Sequence, residues 1–334
     1  MKDESAASVP GSKTSATGHF VETMGGPIST ADLGFTLMHE HIFVVSEGLS
    51  RVFPSIRDEQ PSTDEAVSVL ADAKAKGVDT IVDLTVYGTG RDIPPLLPIV
   101  EKAGIQVIVA TGLYTFESLP TYFMTRSAQE MADLFVADIT EGIQGTGVKA
   151  AILKCATDAP GVTPDVDKVL RAVAQAHLRT GVPISTHTNV AHQRGLDQQR
   201  IFAEEGVDLK RVIIGHSGDT DDLDYLTKLL DAGSYIGMDR FGLQVILPDE
   251  KRTATVAKLC QMGYAERMVL SHDTSVYMDN VKPEFMKIYR GNWDYLNIVN
   301  NIIPALLAAG IPQSQIDLMT RENPRRIFEN VGTY

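Results

Sequence analysis

The sequence predicts a single (β/α)8 barrel of the α/β class over nearly all of its 334 residues, and three observations carry that prediction. Eight short apolar runs, all but the first containing Val or Ile, recur along the chain, each followed by a longer amphipathic stretch with helix punctuation. The first run feeds into Met38-His39-Glu40-His41, where an open doubly wound sheet, the alternative fold, would place a glycine-rich phosphate loop. No internal repeat or low-complexity linker interrupts the series, and chains of this length are routinely one barrel.

The strands are expected at 35–38, 80–84, 106–110, 149–153, 182–186, 211–215, 234–238 and 267–271. Short, branched apolar runs of this kind suit strands buried on both faces. Between them, Ser62-Thr63-Asp64-Glu65 opens a helix that runs to Gly77, with capping residues first and a C′ glycine last. Thr163-Pro164 starts another, ending near Gly181, with proline in its first turn. Stretches 128–142 and 223–233 follow the same grammar.

Residues 1–18 are rich in Ser, Ala, Thr, Lys and Gly and contain no apolar core like that of a secretory leader. They are expected to form a flexible tail, with the barrel occupying 19–334. The net charge of −13 argues against nucleic acid and anionic membrane surfaces as partners. No apolar run approaches the ~18 residues that a spanning helix requires. Two cysteines, Cys155 and Cys260, are too few for a disulfide framework and suit a reducing cytoplasm.

The histidines carry the chemistry. His39 and His41 form an H-x-H pair at the end of strand one, and alternate residues of an extended segment share a face, so both rings point to the barrel axis. His187, His216 and Asp273 close strands five, six and eight, at the end of a barrel where active sites form. A lone buried histidine is an ordinary core residue. Four on one rim with a carboxylate suit Zn, Co, Mn or Fe instead, because packing gives no reason to collect titratable groups there. Lys154 ends strand four at the same level. Either it snorkels, or its ammonium is disfavoured beside two cations and the neutral amine takes up carbon dioxide as an anionic bridging carbamate. The remaining histidines are discounted: His19 in the tail, His177 in a helix, His192 in a loop, and His272 alternating away from Asp273. Cys155 alternates away from Lys154 and reads as a buried inert thiol.

The motif Thr36-Leu37-Met38-His39-Glu40-His41, the run Ile152-Leu153-Lys154-Cys155-Ala156, the segments around His187 and His216, Ser271-His272-Asp273, Gly195-Leu196-Asp197-Gln198-Gln199-Arg200 and the terminal Asn323-Pro324-Arg325-Arg326-Ile327-Phe328 together resemble the phosphotriesterase-like lactonases of the amidohydrolase superfamily. The resemblance implies two divalent cations, Zn foremost, with His39, His41 and Asp273 on the more buried one and His187 and His216 on the other. Carboxylated Lys154 and a hydroxide would bridge them. It also implies that Tyr114 lies over the metals and contacts substrate, and that Arg240 serves near the entrance loops. Read from residues alone, Tyr114 fits better as an ordinary half-buried aromatic with its hydroxyl satisfied, and Arg240 equally well as a salt-bridge partner of Asp239.

The activity so implied is lactone hydrolysis, of N-acyl homoserine lactones (quorum quenching) and of simpler γ- and δ-lactones. Asp273 would take the proton of the attacking hydroxide, and organophosphate triesters would be side substrates. An acyl tail would need an apolar channel, with Phe241, Leu243, Val245, Ile246 and Leu247 on one wall and the loop 274–290 on the other. A dedicated phosphotriesterase, another ester hydrolase, or a non-catalytic metal- or ligand-binding barrel are the alternatives. The family is commonly homodimeric, so a homodimer is expected.

Overall fold

The structure, a computed structural model, describes residues 18–59, 61–329 and 332–334; the tail expected over 1–18 falls, apart from Gly18, outside them. Eight parallel strands follow: β1 (Thr36–Glu40), β2 (Thr80–Asp83), β3 (Gln106–Gly112), β4 (Ile152–Thr157), β5 (Ile184–Thr188), β6 (Val212–Ile214), β7 (Tyr235–Met238) and β8 (Met268–Leu270). Each pairs with the next in chain order. The ring closes where β8 returns to β1, through Asp273 N–H donating to the His39 carbonyl at 3.0 Å and His41 N–H to that of Thr274 at 3.0 Å. This is the expected (β/α)8 barrel.

The helices begin where the capping chemistry places them. α1 (Thr63–Ala75) and α2 (Ala128–Thr140) both carry full capping boxes, Ser62 with Glu65 and Ser127 with Glu130. α3 (Pro164–Thr180) starts on the Thr163 side chain and ends at left-handed Gly181.

Two apolar layers result. Leu37, Leu153, Cys155, Ile184, Ile214 and Leu270 face the helices, while Met38, Val82, Ile108, Ile152, Ile213 and Val269 fill the barrel interior, closed below by Val21, Leu33, Ile327 and Phe328. This alternation aims Lys154 and His187 inward. The strand expected at 149–153 in fact runs over Ile152–Thr157. The apolar run marked its entrance, but Cys155, Ala156 and Thr157 continue the pairing with β5 out to Thr157 opposite Thr188, so Lys154 lies within the strand rather than past its end. In β1 a register shift between Leu37 and Glu40 lets Met38 and His39 both face inward, as a bulge does when it re-aims a side chain.

Candidate metal centre

Each site residue leaves the C-terminal half of a barrel strand or the loop just beyond. Strict alternation from outward Ile214 would turn His216 outward, but the strand ends there and His216 adopts φ +56. Asp273 sits at φ +55. Left-handed backbone is strained for such residues and tends to persist at functional sites.

The four histidines share one arrangement: one ring nitrogen is held by a supporting group and the other faces a common centre. His39 Nδ1 lies 2.9 Å from Asp239 Oδ2 and His216 Nδ1 3.0 Å from Asp239 Oδ1. His41 Nδ1 meets Thr85 Oγ1 at 2.8 Å, and Thr85 N–H donates in turn to Asp83. His187 Nε2 meets Asp158 Oδ2 at 2.5 Å. The centre-facing atoms gather on Asp273. Its Oδ1 lies 3.2 Å from His41 Nε2 and 3.6 Å from His39 Nε2, while its Oδ2 lies 3.7 Å from His216 Nε2. His187 Nδ1 is 3.2 Å from the Tyr114 hydroxyl.

Burial first of all pushes His39 and His216 down, and His187 to about 4. Neutral imidazoles are what a cation needs from them. The hydrogen bond to His187 holds the Asp158 carboxyl well below the usual range. Burial alone would raise Asp273, but Arg240 and the facing His39 and His41 outweigh it and keep it low. Burial also pushes Lys154 down, to about 8, and its Nζ lies 2.8 Å from His39 Nε2.

This donor set fits divalent cations. Ligand atoms of His39, His41 and Asp273 lie within 4.8 Å of one another, among buried or half-buried residues. Every ring is oriented by a carboxylate or hydroxyl partner, the arrangement that metal-ligating histidines carry. His39, His216 and Asp239 are equally close together, but there the carboxylate faces the two Nδ1 atoms that it already holds, so they form a support and not a second cage.

Tyr114 and Arg240 also line this pocket, a cavity of about 210 Å³. Arg240 pairs not with Asp239 but with Asp273 Oδ2 and Asp219 Oδ2, both at 2.8 Å. Leu243, Asn280, Val281 and Trp293 line this pocket and also an adjoining apolar cavity of about 510 Å³ that includes Val245, Ile246 and Tyr289. Of the expected wall, Phe241 instead lies in the core, and Leu247 gives its carbonyl to Arg252.

Sequence reasoning missed the supports Asp83, Asp158 and Asp239. Each is a carboxylate at the C-terminal end of a strand or just beyond it, and that position was the signal available. It also missed Glu40, fully buried, which accepts from Ser271, from Thr274 N–H and from both the backbone and the ring of His272. His272 therefore faces the helical layer, as alternation requires.

Among known proteins, the profile of the phosphotriesterase family matches residues 19–328. A phosphotriesterase homology protein of Mycobacterium tuberculosis is 52% identical over 322 residues, covering 94% of this chain and 99% of its own. An aryldialkylphosphatase of Saccharolobus solfataricus is 44% identical over 303 residues, covering 90% and 96%. A solved structure of the phosphotriesterase from Mycobacterium tuberculosis superposes with a TM-score of 0.91 over 94% of this chain and all of that one, at 52% identity. With the barrel, the histidine rim and these likenesses in agreement, the chain belongs to the phosphotriesterase family, whose members are metal-dependent hydrolases.

Proposed function

We propose that this hydrolase opens lactones bearing an apolar tail, N-acyl homoserine lactones among them, with organophosphate triesters as secondary substrates. The observation that carries the reading is the apolar cavity running off the metal pocket past Leu243, Val281 and Trp293. A ring ester seated over the donor cluster could lay an acyl chain there, whereas a compact triester has no use for a second apolar cavity.

His39, His41, Asp273, His187 and His216 would hold two cations, with Lys154 as the bridge once carboxylated. An ammonium aimed at His39 Nε2 is opposite in sign to what a cation pair needs, and carboxylation reverses it. When bound, such cations supply Lewis acidity and lower the pKa of water, for one zinc to about 7.

The chain's own groups do the rest. Asp273, kept ionised by Arg240, accepts the proton of the attacking water and passes it towards the leaving alkoxide. Burial raises the Tyr114 phenol above its ordinary value, so its hydroxyl stays protonated and donates to the carbonyl oxygen as that becomes an oxyanion. Arg240 holds Asp273 from one side while Asp219 holds Arg240 from the other. Trp293 and the loop after β7 exclude water from the tail.

The name of the Saccharolobus relative favours a second reading, a dedicated phosphotriesterase. Comparing kcat/KM on homoserine lactones of graded tail length with that on paraoxon separates the two. A lactone rate rising with tail length and exceeding the paraoxon rate supports the proposal. A paraoxon preference with no tail dependence overturns it.

A further inference from the structure

His39 and His216 come from strands that are not neighbours in the barrel, yet their rings stack at 4.7 Å with an interplanar angle of 26°. One carboxylate spans their outer edges. Asp239 Oδ2 accepts from His39 Nδ1 at 2.9 Å, and Oδ1 accepts from the His216 backbone N–H at 2.8 Å and from its Nδ1 at 3.0 Å. Asp239 is 1% exposed, so water does not compete for these bonds.

The barrel wall is built to admit this carboxylate. A Cβ on Gly237 would stand 2.2 Å from Asp239 Oδ2, and one on Gly215 3.3 Å from the same atom. Gly237 thus leaves the space that the carboxylate fills, while a Cβ on Gly215 would first meet the Thr186 carbonyl, at 1.9 Å. The other supports serve one ring each: Asp158 holds His187, and Thr85 with Asp83 behind it holds His41. Asp239 alone serves a ring facing Asp273 Oδ1 and a ring facing Asp273 Oδ2, one from each half of the donor set.

We propose that Asp239 is a shared positioning residue that fixes one histidine of each cation site in the tautomer with its Nε2 lone pair free, so that both sites depend on a single side chain. This rests on the two-cation reading above. Only a carboxylate offers an acceptor oxygen to each of the two Nδ1–H groups. In Asp239→Asn, the amide oxygen stays with His216, where two donors face it, and the amide nitrogen turns to His39. His39 Nδ1 must then accept, its Nε2 carries the hydrogen, and that ring is lost as a ligand while His216 is kept.

The test is a Zn²⁺ titration of the metal-stripped full chain against a chromophoric chelator, with the thermal midpoint of each metal-free protein measured alongside. Wild type should bind two ions. Asp239→Asn should keep one at near wild-type affinity and weaken the other ~10- to 100-fold, the usual loss when an orienting partner is removed. Asp239→Ala should weaken both, and Gly237→Ala, which alters no polar group, should weaken the His39 ion. Asp158→Asn, whose only imidazole partner among these four rings is His187, should weaken one ion and leave the His39 ion intact. Two ions at wild-type affinity in both Asp239 variants would overturn the clamp while leaving the two-cation reading standing. Loss of both ions in Asp239→Asn together with a large drop in the metal-free midpoint would also overturn it, as a structural role would produce that. A wild-type count below two would overturn the cation pair and the clamp with it.

Discussion

Arg240 Nε donates to Asp273 Oδ2 at 2.8 Å, and the same guanidinium reaches Asp219 at 2.8 Å through Nη1. The proton acceptor proposed for the reaction is thereby fixed in both charge and direction, with one oxygen towards His39 and His41 and the other towards His216. Asp273→Asn retains the shape but neither the charge nor the basicity. It is expected to lower kcat by ~10²-fold or more, the lower end of what general base loss costs, while some metal remains bound. Steady-state kinetics with a metal count on the same sample check this, and near-normal turnover would remove Asp273 from the chemistry.

Tyr114 presents a buried hydroxyl 3.2 Å from His187 Nδ1. Phenylalanine keeps the ring and removes the donor. A hydrogen bond to a charged group is worth about 1.5–3 kcal/mol, so kcat on a lactone should fall ~10- to 100-fold with KM little changed. A change confined to KM would mean that the hydroxyl only binds the ground state.

Among the described residues, Arg252 is the largest fully buried side chain. Its guanidinium donates to the carbonyls of Leu247, Gly218 and Leu243 and pairs with Asp219 at 2.7 Å. It therefore ties the loop carrying Leu243, Val245 and Ile246 to the Asp219–Arg240–Asp273 chain. Arg252→Met leaves a buried carboxylate and three carbonyls short of a donor and should cost about 3–5 kcal/mol of stability. Below its unfolding temperature, the variant should bind metal normally yet lose discrimination between short and long acyl tails. Unchanged tail dependence would detach Arg252 from the groove.

Far from the centre, His177 is enclosed in α3. Its Nδ1 donates to the Val182 carbonyl at 2.7 Å, and its Nε2 accepts from the Tyr334 hydroxyl at 2.8 Å. Burial lowers its pKa, so below about pH 6.5, the ordinary histidine value, the unfolded chain binds a proton that the folded one refuses. Stability then rises with pH through the weakly acid range and levels off above the unfolded value. Denaturant melts between pH 5 and 7.5 should show a slope of up to about 1.36 kcal/mol per pH unit from this group. His177→Gln should lack it, and an unchanged slope would mean that the histidine is charged in the folded protein.

The barrel and its inward-facing polar side chains were legible because both follow from period-two alternation and from strand-end position. Lys154 and His187 needed nothing more. His39 needed the bulge in β1 and His216 its left-handed bend, and neither is written in a hydrophobicity pattern, although the residue types suggested the outcome. The supports were harder to see. For Asp239, adjacency in sequence suggests only a pair with Arg240, whereas the barrel curvature brings it to His39, two hundred positions away in sequence. Composition alone suggests the groove for Phe241, but its place in the core depends on a loop path that composition does not encode.

The two backbone bonds that stitch β8 to β1 join residues 39 and 41 to residues 273 and 274, so nearly the whole polypeptide must be gathered before they can form. Contacts so distant in sequence are the slow ones to assemble. The rim of histidines should therefore be completed late in refolding. Zn²⁺ uptake and catalysis should recover after far-UV ellipticity has returned, and a truncated nascent chain should carry helices well before it can hold an ion.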